Sequence, residues 1–299
     1  MKLYRVSITP TSDFATKLKG DTLFGQFCWA IYYHLGKDRL EELLKDYREQ
    51  KEPFLVVSDG FTQGYLPKPK MPSIFLDEKS EDKKINRKKV WLTLDDLLNG
   101  EYANAKQEKE IGSRDKQDMS LHNSLNYKTF HTGDGFDPYA LEVTSLSKKD
   151  IYFLLDENQL PFNEFKEVLS LLSDMGYGKK STIGKGRFEI DKIKEVKVAS
   201  SSKVFMTLSP FTPKGIVCKS IYYDPFTRFG KFGGERAYKS AFKKPLLLAD
   251  VASVVEFEKV ETHQYLGSAI SGLSDNPKYK DTVHQGYSIV LPLKELNYD

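Results

Sequence analysis

The chain has 299 residues, 39% apolar and 29% charged, which is enough apolar material for a buried core and excludes disorder of the whole chain. Its length favours two domains of roughly 100–200 residues each. The net charge of +3 is too small, over the whole chain, to indicate a nucleic-acid partner. With only two cysteines, Cys28 and Cys218, a disulfide framework and a four-thiolate metal site are excluded, so we expect a reducing, cytoplasmic environment.

The N-terminal third contains the first predicted elements. Residues 3–9 alternate in polarity, which predicts a strand and not the apolar region of an export signal. Asp21 precedes apolar residues spaced by three and four, so we predict that it caps a helix running to about Leu35. A second helix, residues 40–47, and a short buried strand, residues 54–57, follow. No apolar run reaches membrane-spanning length, so we expect no membrane anchor.

The next part of the chain is interrupted by a polar segment. From about residue 77 to 128, charged runs surround only a brief helical signal, which predicts a mobile insertion rather than core. Strand patterns resume at 139–144 and 151–155, and a helix around 162–172 precedes a strand at 187–190. This order of elements is the β-α-β-β-α-β order of a ferredoxin-like domain.

The polar stretch at 198–203 predicts the domain boundary. The residues beyond it show several strand patterns and only a weak helical signal. We therefore predict an α+β protein with two ferredoxin-like (RRM-like) domains. The first covers residues 1–198, with the insertion at about 77–128 and a glycine-rich loop at 176–187, and the second, more degraded, covers residues 203–299.

The glycine-rich loop is the most informative segment of the sequence. Residues 176–187 include four glycines, four cations and the aliphatic hydroxyls of one serine and one threonine, and no acid. Glycines let the backbone approach a ligand and turn its amides outward, while cations and hydroxyls bind phosphate oxygens. An exposed turn kept soluble by lysines would have the same composition. The candidate RNA-binding residues here are Gly176, Gly178, Lys179, Lys180, Ser181, Thr182, Gly184, Lys185, Gly186 and Arg187.

The position of this loop distinguishes it from the familiar phosphate loops. A dinucleotide loop follows a strand and opens a helix, whereas this loop follows a helix and opens a strand. Its glycine spacing does not fit a P-loop either, since five residues separate Gly178 from Gly184. These differences favour an extended phosphodiester backbone over a single nucleotide pyrophosphate.

A second basic and aromatic cluster occupies residues 228–238. Aromatic side chains between Arg228, Lys231 and Arg236 could stack on bases while the cations neutralise phosphates. The alternative is a surface hairpin whose aromatic side chains turn into the core. The turn around Gly233 resembles that of palm-domain cyclases, but Arg236 stands where a second carboxylate would be, so two-metal chemistry has no ligands here.

Several segments of the chain form an ordered set of motifs: residues 20–25 with 28–30, residues 57–60 followed by 65–69, residues 131–133, the glycine-rich loop, and residues 284–287. In this order they resemble the RAMP proteins of CRISPR effector complexes. The narrower resemblance is to the fourth-subunit family of the type III-A Csm complex, which caps the 5′ end of the guide RNA. The insertion has no pattern of this family.

The resemblance implies a non-catalytic, RNA-binding scaffold without cofactor or metal. Its partners would be the 5′ handle of a single-stranded guide RNA, a large palm-domain signalling subunit and a RAMP backbone subunit. In this family the glycine-rich loop is a phosphate cradle. The resemblance also implies that Gly20, Asp21 and His131 lie near the bound RNA.

Two other functions remain open at this stage. Metal-independent ribonucleases need a general base and acid, and some RAMP relatives cleave guide RNA in this way. For that guide-RNA-processing endoribonuclease, His131 is the preferred candidate and His122 the other. A third possibility is a protein-interaction module that uses the aromatic residues and the polar insertion to dock a partner.

Overall fold

The fold was analysed in a computed structural model, which describes residues 1–49, 52–78, 83–132, 135–234, 242–279 and 282–298. The helices are α1 (Gly20–His34), α2 (Lys37–Glu49), α3 (Lys83–Asn86), α4 (Leu94–Leu98) and α5 (Phe162–Met175). The strands are β1 (Lys2–Pro10), β2 (Leu55–Thr62), β3 (Leu66–Pro67), β4 (Lys89–Leu92), β5 (Lys106–Gln107), β6 (Lys116–His122), β7 (Tyr139–Ser145), β8 (Lys149–Leu155), β9 (Phe188–Glu195), β10 (Ser201–Thr207), β11 (Ser220–Tyr222), β12 (Pro225–Arg228), β13 (Leu246–Ala249), β14 (Val254–Thr262), β15 (Tyr265–Gly267) and β16 (Tyr287–Leu293).

The first sheet has four strands in the order β2-β8-β1-β9, and each neighbouring pair is antiparallel. Alternate residues of β1 point to the same side of the sheet, so Tyr4, Val6 and Ile8 all enter the core there. The ring of Tyr4 stacks on Phe162 of α5 at a centroid distance of 4.8 Å. The helical apolar spacing of α1 and α5 therefore buries one stripe of each helix against this sheet.

Helix α1 ends close to where it was predicted to end, but its N-terminal cap is not the predicted residue. The residue before the helix is Lys19, which makes no side-chain capping bond. Asp21 lies inside the first turn, where its buried Oδ2 is 2.8 Å from Nε of Arg228. The prediction that Asp21 caps the helix is therefore wrong, because its carboxylate pairs with a cation from the other half of the chain.

The second sheet has five strands in the order β11-β14-β10-β16-β15, with every pair antiparallel. No α-helix occurs among the described residues after 201. One continuous apolar cluster includes Val6 and Val57 of the first sheet together with Met206 and Tyr287 of the second. The α+β class is confirmed, and the division into two ferredoxin-like domains stays a prediction.

The polar insertion contains more buried structure than its composition suggests. Its strands β4 and β5 form a small antiparallel sheet with β3, which precedes the insertion. Leu76, Leu92, Tyr102 and Ala105 form a separate buried cluster, and Leu97 of α4 joins the main core. The expectation that this insertion contributes no core is wrong here, because a few apolar residues spaced among lysines suffice when a neighbouring surface covers them.

Strands β6 and β7 form a hairpin that begins within the insertion and ends just before β8. The ladder pairs Lys116 with Ser145 at its base and His122 with Tyr139 at its far end. Beyond that end, large apolar side chains are exposed, including Tyr127 at 91% and Phe130 at 75%. No helix among the described residues combines the length and the apolar character needed to cross a membrane.

Candidate nucleic-acid interface

The glycine-rich loop is anchored against the segment that leads into α1. The loop starts at Gly176, whose amide makes the last helical hydrogen bond of α5, to the carbonyl of Leu172 at 3.1 Å, and whose φ of +77° ends the helix. The next residue, Tyr177, is fully buried, and its hydroxyl donates to the carbonyl of Lys17 at 2.6 Å. The same hydroxyl accepts from the amide of Lys19 at 3.2 Å. The structure therefore brings the loop beside the start of α1, as the two predicted sites require.

Most amides of the loop donate within the protein rather than outward. Ile183, Gly184 and Lys185 donate to carbonyls of the loop itself. Only the amides of residues 180–182 meet no acceptor among the described residues, which narrows the predicted backbone cradle to the loop tip. The donations to other segments are Gly178 to Oε1 of Gln26 at 3.0 Å, Lys179 to Oγ1 of Thr16 at 2.9 Å, Gly186 to the carbonyl of Asp13 at 2.8 Å, and Arg187 to Oγ of Ser12 at 2.8 Å.

The four cations of the loop differ in what they meet. Lys185 forms an ion pair with Asp13, at 2.9 Å between Nζ and Oδ2, so a carboxylate from the end of β1 neutralises it. Lys180 donates to the hydroxyl of Tyr139 at 3.1 Å. Lys179 and Arg187 are exposed, and among the described residues no carboxylate pairs with either one or with Lys180. Three loop cations are therefore available to an anionic ligand.

The start of α1 is held by charges from the second half of the chain. The carboxylate of Asp21 is fully buried, and it faces Arg228 and, at 3.3 Å from Oδ2, Nε2 of His284. Burial lowers the pKa of His284 to about 4, against the attraction of Asp21 and with the help of nearby Lys243. His284 is therefore neutral in the folded protein near pH 7, and Arg228 is the cation that balances Asp21.

A second buried ion network lies beside the first. Nζ of Lys19 is 2.8 Å from Oδ2 of Asp59 and 3.0 Å from Oδ1 of Asp250. Gly20 also donates its amide to Oδ1 of Asp59, at 2.8 Å. Burial raises the pKa of Asp59 to about 6, although Lys19 and this amide favour the ionised form. Gly20 and Asp21 thus sit in a charged junction between the two halves.

The side chain of Gln285 connects the same two halves. Its Oε1 accepts from the amide of Val57 at 2.9 Å, and its Nε2 donates to the carbonyl of Val57 at 2.8 Å. Two of the segments that carry the family resemblance, residues 57–60 and 284–287, therefore meet each other. Sequence reasoning missed this pairing, because nothing local marks residues 228 positions apart as neighbours.

The second predicted cluster begins at Arg228, the last residue of β12, which pairs with β13 in a two-stranded ribbon. Phe229 follows β12 and is 71% exposed, and Lys231 lies over the ring of Phe242 at 4.7 Å. Arg228 forms an ion pair with Asp21 and donates a hydrogen bond to the hydroxyl of Thr22. The segment after β12 thus exposes Phe229 and Lys231, while the ring of Phe232 is buried and Arg236 lies outside the described residues.

The two histidines of the hairpin region stand apart from the charged junction. His131 is exposed beyond the end of the hairpin, where its carbonyl accepts from the amide of Asn126 at 3.0 Å. His122 stacks on Tyr139 at a centroid distance of 5.4 Å, and its Nε2 lies 3.1 Å from Oγ of Ser120. Within the described ranges, no group of three or more His, Cys, Asp and Glu side chains is placed to hold a metal ion.

Comparison of the sequence alone identifies no relative. No protein-family model matches the chain. No curated protein matches it either. The comparison with solved structures is therefore the one that places the fold.

The fold matches solved structures over their whole length. A crystal structure of a Csm1-Csm4 cassette in complex with AMPPNP contains a similar chain, with a TM-score of 0.62, 18% identity and full coverage of both chains. The same cassette in complex with cA4 gives 0.60 at 20% identity, again over all of both chains. A Csm3-Csm4 subcomplex in the type III-A CRISPR-Cas interference complex gives 0.60 at 17% identity over 99% of this chain and 100% of the other.

Csm4 is the component that these three structures have in common. The chain therefore has a Csm4-like fold, and the resemblance predicted from the sequence is confirmed at the level of the fold. A fold does not by itself assign a function, which must be argued from the site.

Proposed function

We propose that the chain is a non-catalytic, RNA-binding scaffold subunit of a type III-A CRISPR effector complex. It would bind the 5′ handle of a single-stranded guide RNA. It would also join a large palm-domain signalling subunit to a RAMP backbone subunit. This role requires two protein-binding faces and a basic surface for RNA.

The observation that carries the proposal is the full-length likeness to the Csm4-containing structures. Those structures pair the shared component with Csm1 in one case and with Csm3 in another. A chain that matches this fold throughout can offer two such faces. The likeness supports the scaffold role through shape alone, so the RNA contact is argued from the residues.

The glycine-rich loop supports RNA binding through its unpaired cations. Lys179, Lys180 and Arg187 lie within nine residues of one another with no carboxylate partner in the described part of the chain. The hydroxyls of Ser181 and Thr182 and the free amides at the loop tip add phosphate-oxygen donors. Such donors bind a phosphodiester strand without reading its sequence, and the affinity that they supply depends on salt.

The endoribonuclease alternative finds less support in the geometry. Metal-free cleavage of RNA needs both a general base and a general acid near the reacting groups. The ring of His131 has no hydrogen-bond partner among the described residues, and the ring of His122 pairs with a serine hydroxyl. Within the described ranges, no carboxylate forms an ion pair with either histidine, which favours the scaffold.

The triple variant Lys179→Ala, Lys180→Ala, Arg187→Ala tests the RNA contact. We expect at least about tenfold weaker binding of guide RNA at physiological salt, because each phosphate contact contributes through counterion release. The slope of log affinity against log salt should become shallower by about 2, since each phosphate neutralised on a single strand contributes about 0.7 to that slope. Filter binding or fluorescence anisotropy over a salt titration measures both quantities.

The matched control removes the same charge elsewhere. Lys37, Lys45 and Lys166 are exposed on the outer surfaces of α2 and α5, and their triple alanine variant should keep the wild-type salt slope. Equal weakening in both variants would reduce the loop to a share of the net charge and contradict the proposal. Unchanged RNA binding in the loop variant would contradict it as well.

Purification of the assembled complex tests the scaffold and the alternatives together. We expect the chain to co-purify with guide RNA, a large palm-domain subunit and a RAMP backbone subunit. Recovery of the partner subunits without RNA would instead indicate a pure protein-interaction module. Cleavage of repeat RNA by the purified chain in the presence of a chelator, abolished by His131→Ala, would establish the endoribonuclease.

A further inference from the structure

A groove of about 370 Å³ runs along one side of the glycine-rich loop. Its walls come from the end of β1, the end of β7 and residues 183–185 of the loop. Ligand pockets in proteins usually range from about 300 to 1,000 Å³, so the groove has room for a small ligand such as one nucleotide. It lies beside the loop cations Lys179, Lys180 and Arg187 but is not formed by them.

The groove has apolar surface where a phosphate site would have none. Ile183 is the one aliphatic side chain of the loop, and it is 56% exposed. Leu146, half-buried at the end of β7, contributes a second aliphatic surface. Between them, a Cβ added to Gly184 would meet no atom within 4 Å, so the backbone there lies open to a flat ring.

The polar part of the groove consists of the carboxylate of Asp13, a hydrogen-bond acceptor, beside the ammonium group of Lys185, a donor. Oδ2 of Asp13 accepts from Lys185, and Oδ1 receives no hydrogen bond from the described residues. Asp13 is also 40% exposed, so this oxygen can meet a ligand. A phosphate group would be repelled by the carboxylate. A nucleobase edge, which is neutral and presents a donor beside an acceptor, fits both groups.

The geometry points to a subsite for one unstacked nucleobase in the groove lined by Asp13, Ile183 and Lys185. This inference rests on the proposed RNA binding. The phosphates of the strand lie along Lys179, Lys180 and Arg187, and one base turns from the strand into the groove. There the base stacks against Ile183 and Leu146, and Asp13 accepts from its amino or imino group. Proteins commonly read single-stranded RNA through bases splayed out in this way.

The variant Asp13→Asn separates a base contact from a general charge effect. Two probes are compared with the full chain: a short single-stranded RNA, and a strand of the same length with the sugar-phosphate backbone but no bases. Asparagine removes a negative charge and frees Lys185, so the abasic strand should bind more tightly. The RNA should bind about tenfold more weakly, because the base loses a charged acceptor. The opposite signs are the expected result.

A second variant removes the apolar wall and leaves the charges in place. Ile183→Ala should weaken binding of the RNA several-fold, since base stacking on side chains contributes about 1–3 kcal/mol, and should leave the abasic strand unaffected. Thermal unfolding of both variants should match that of the wild type, because both side chains lie at the surface.

The outcomes distinguish the subsite from the proposed function. Equal changes for the two strands, of either sign, in the Asp13→Asn variant would overturn the subsite and leave the phosphate contacts standing. Equal binding of both strands by the wild-type chain would overturn the subsite too. Binding of neither strand by the wild type would overturn the proposed function, and the subsite with it.

Discussion

Replacement of Gly186 by alanine should destabilise the protein by at least about 3 kcal/mol. A Cβ at this position would lie 2.0 Å from the carbonyl oxygen and 2.7 Å from the amide nitrogen of Tyr177. Both are backbone atoms, so no side chain can rotate out of the way. The residue also has a φ of +75°, in the region that favours glycine. Urea or thermal unfolding of the full chain measures the destabilisation.

The expected loss of stability is large because the contact between Gly186 and Tyr177 fixes the conformation of the whole loop. The amide of Tyr177 donates to the carbonyl of Gly186 at 2.8 Å, and the amide of Gly186 donates to Asp13. A backbone shift that makes room for a methyl group therefore breaks both of these hydrogen bonds, which attach the loop to the end of α5 and to the segment after β1. The buried ring of Tyr177, which ties the loop to α1, would shift with it.

Gly184→Ala is the matched control within the same loop. Gly184 has a φ of +88°, but a Cβ there meets nothing within 4 Å. Only the cost of the left-handed backbone remains, about 1–2 kcal/mol. Similar destabilisation in both variants would show that the close approach at Gly186 has no energetic consequence, contrary to this prediction.

The buried junction between the halves should respond to pH through two groups with opposite signs. The pKa of Asp59 is raised by burial to about 6, above its usual 3.8. Its contribution to stability is complete below the unfolded pKa and is lost as the pH rises through about 6. The pKa of His284 is lowered by burial to about 4, below its usual 6.5. Its contribution is complete above the unfolded pKa and is lost as the pH falls through about 4.

Each shift corresponds to about 3 kcal/mol, and the two changes overlap between about pH 4 and 6. In the wild type they offset each other, so the pH dependence becomes visible only when one group is removed. Asp59→Asn keeps an acceptor for the amide of Gly20. Compared with the wild type, this variant should lose about 3 kcal/mol of stability as the pH falls from 7 to 4.

The partner variant should show the reverse. His284→Gln has no group to protonate, so relative to the wild type it should gain about 3 kcal/mol over the same fall in pH. His131→Gln, at an exposed position beyond the hairpin, serves as the control and should follow the wild type throughout. Urea unfolding at several pH values measures all three. Parallel curves for all variants would mean that neither group changes its pKa on folding.

The elements that the sequence predicted well are those with a local periodic pattern. The apolar spacing of α1 and the alternation of β1 require only neighbouring residues, and both elements occur where they were predicted. The glycine-rich loop was also recognised from its composition, and the structure places it between α5 and β9 as expected. These predictions succeeded because hydrophobic period and turn residues act over a few positions.

The charged contacts of the site could not be predicted in the same way. The loop contains no acid of its own, yet Asp13 pairs with Lys185 across 172 positions of sequence. Asp21 has the composition of a helix cap, and it is instead balanced by Arg228, 207 positions away. The pairing of β1 with β9 brings Asp13 to Lys185, and contact between the two halves of the chain brings Arg228 to Asp21.

By itself, therefore, the sequence determined the elements with a clear local period, the α+β class and the cationic loop, because each depends on residues that are adjacent along the chain. The tertiary structure decided which cations of that loop remain unpaired, which amides are still free, and how the signature segments meet. Those properties depend on distances in space, since burial and ion pairing set the free energy of a charge only after the chain has folded around it.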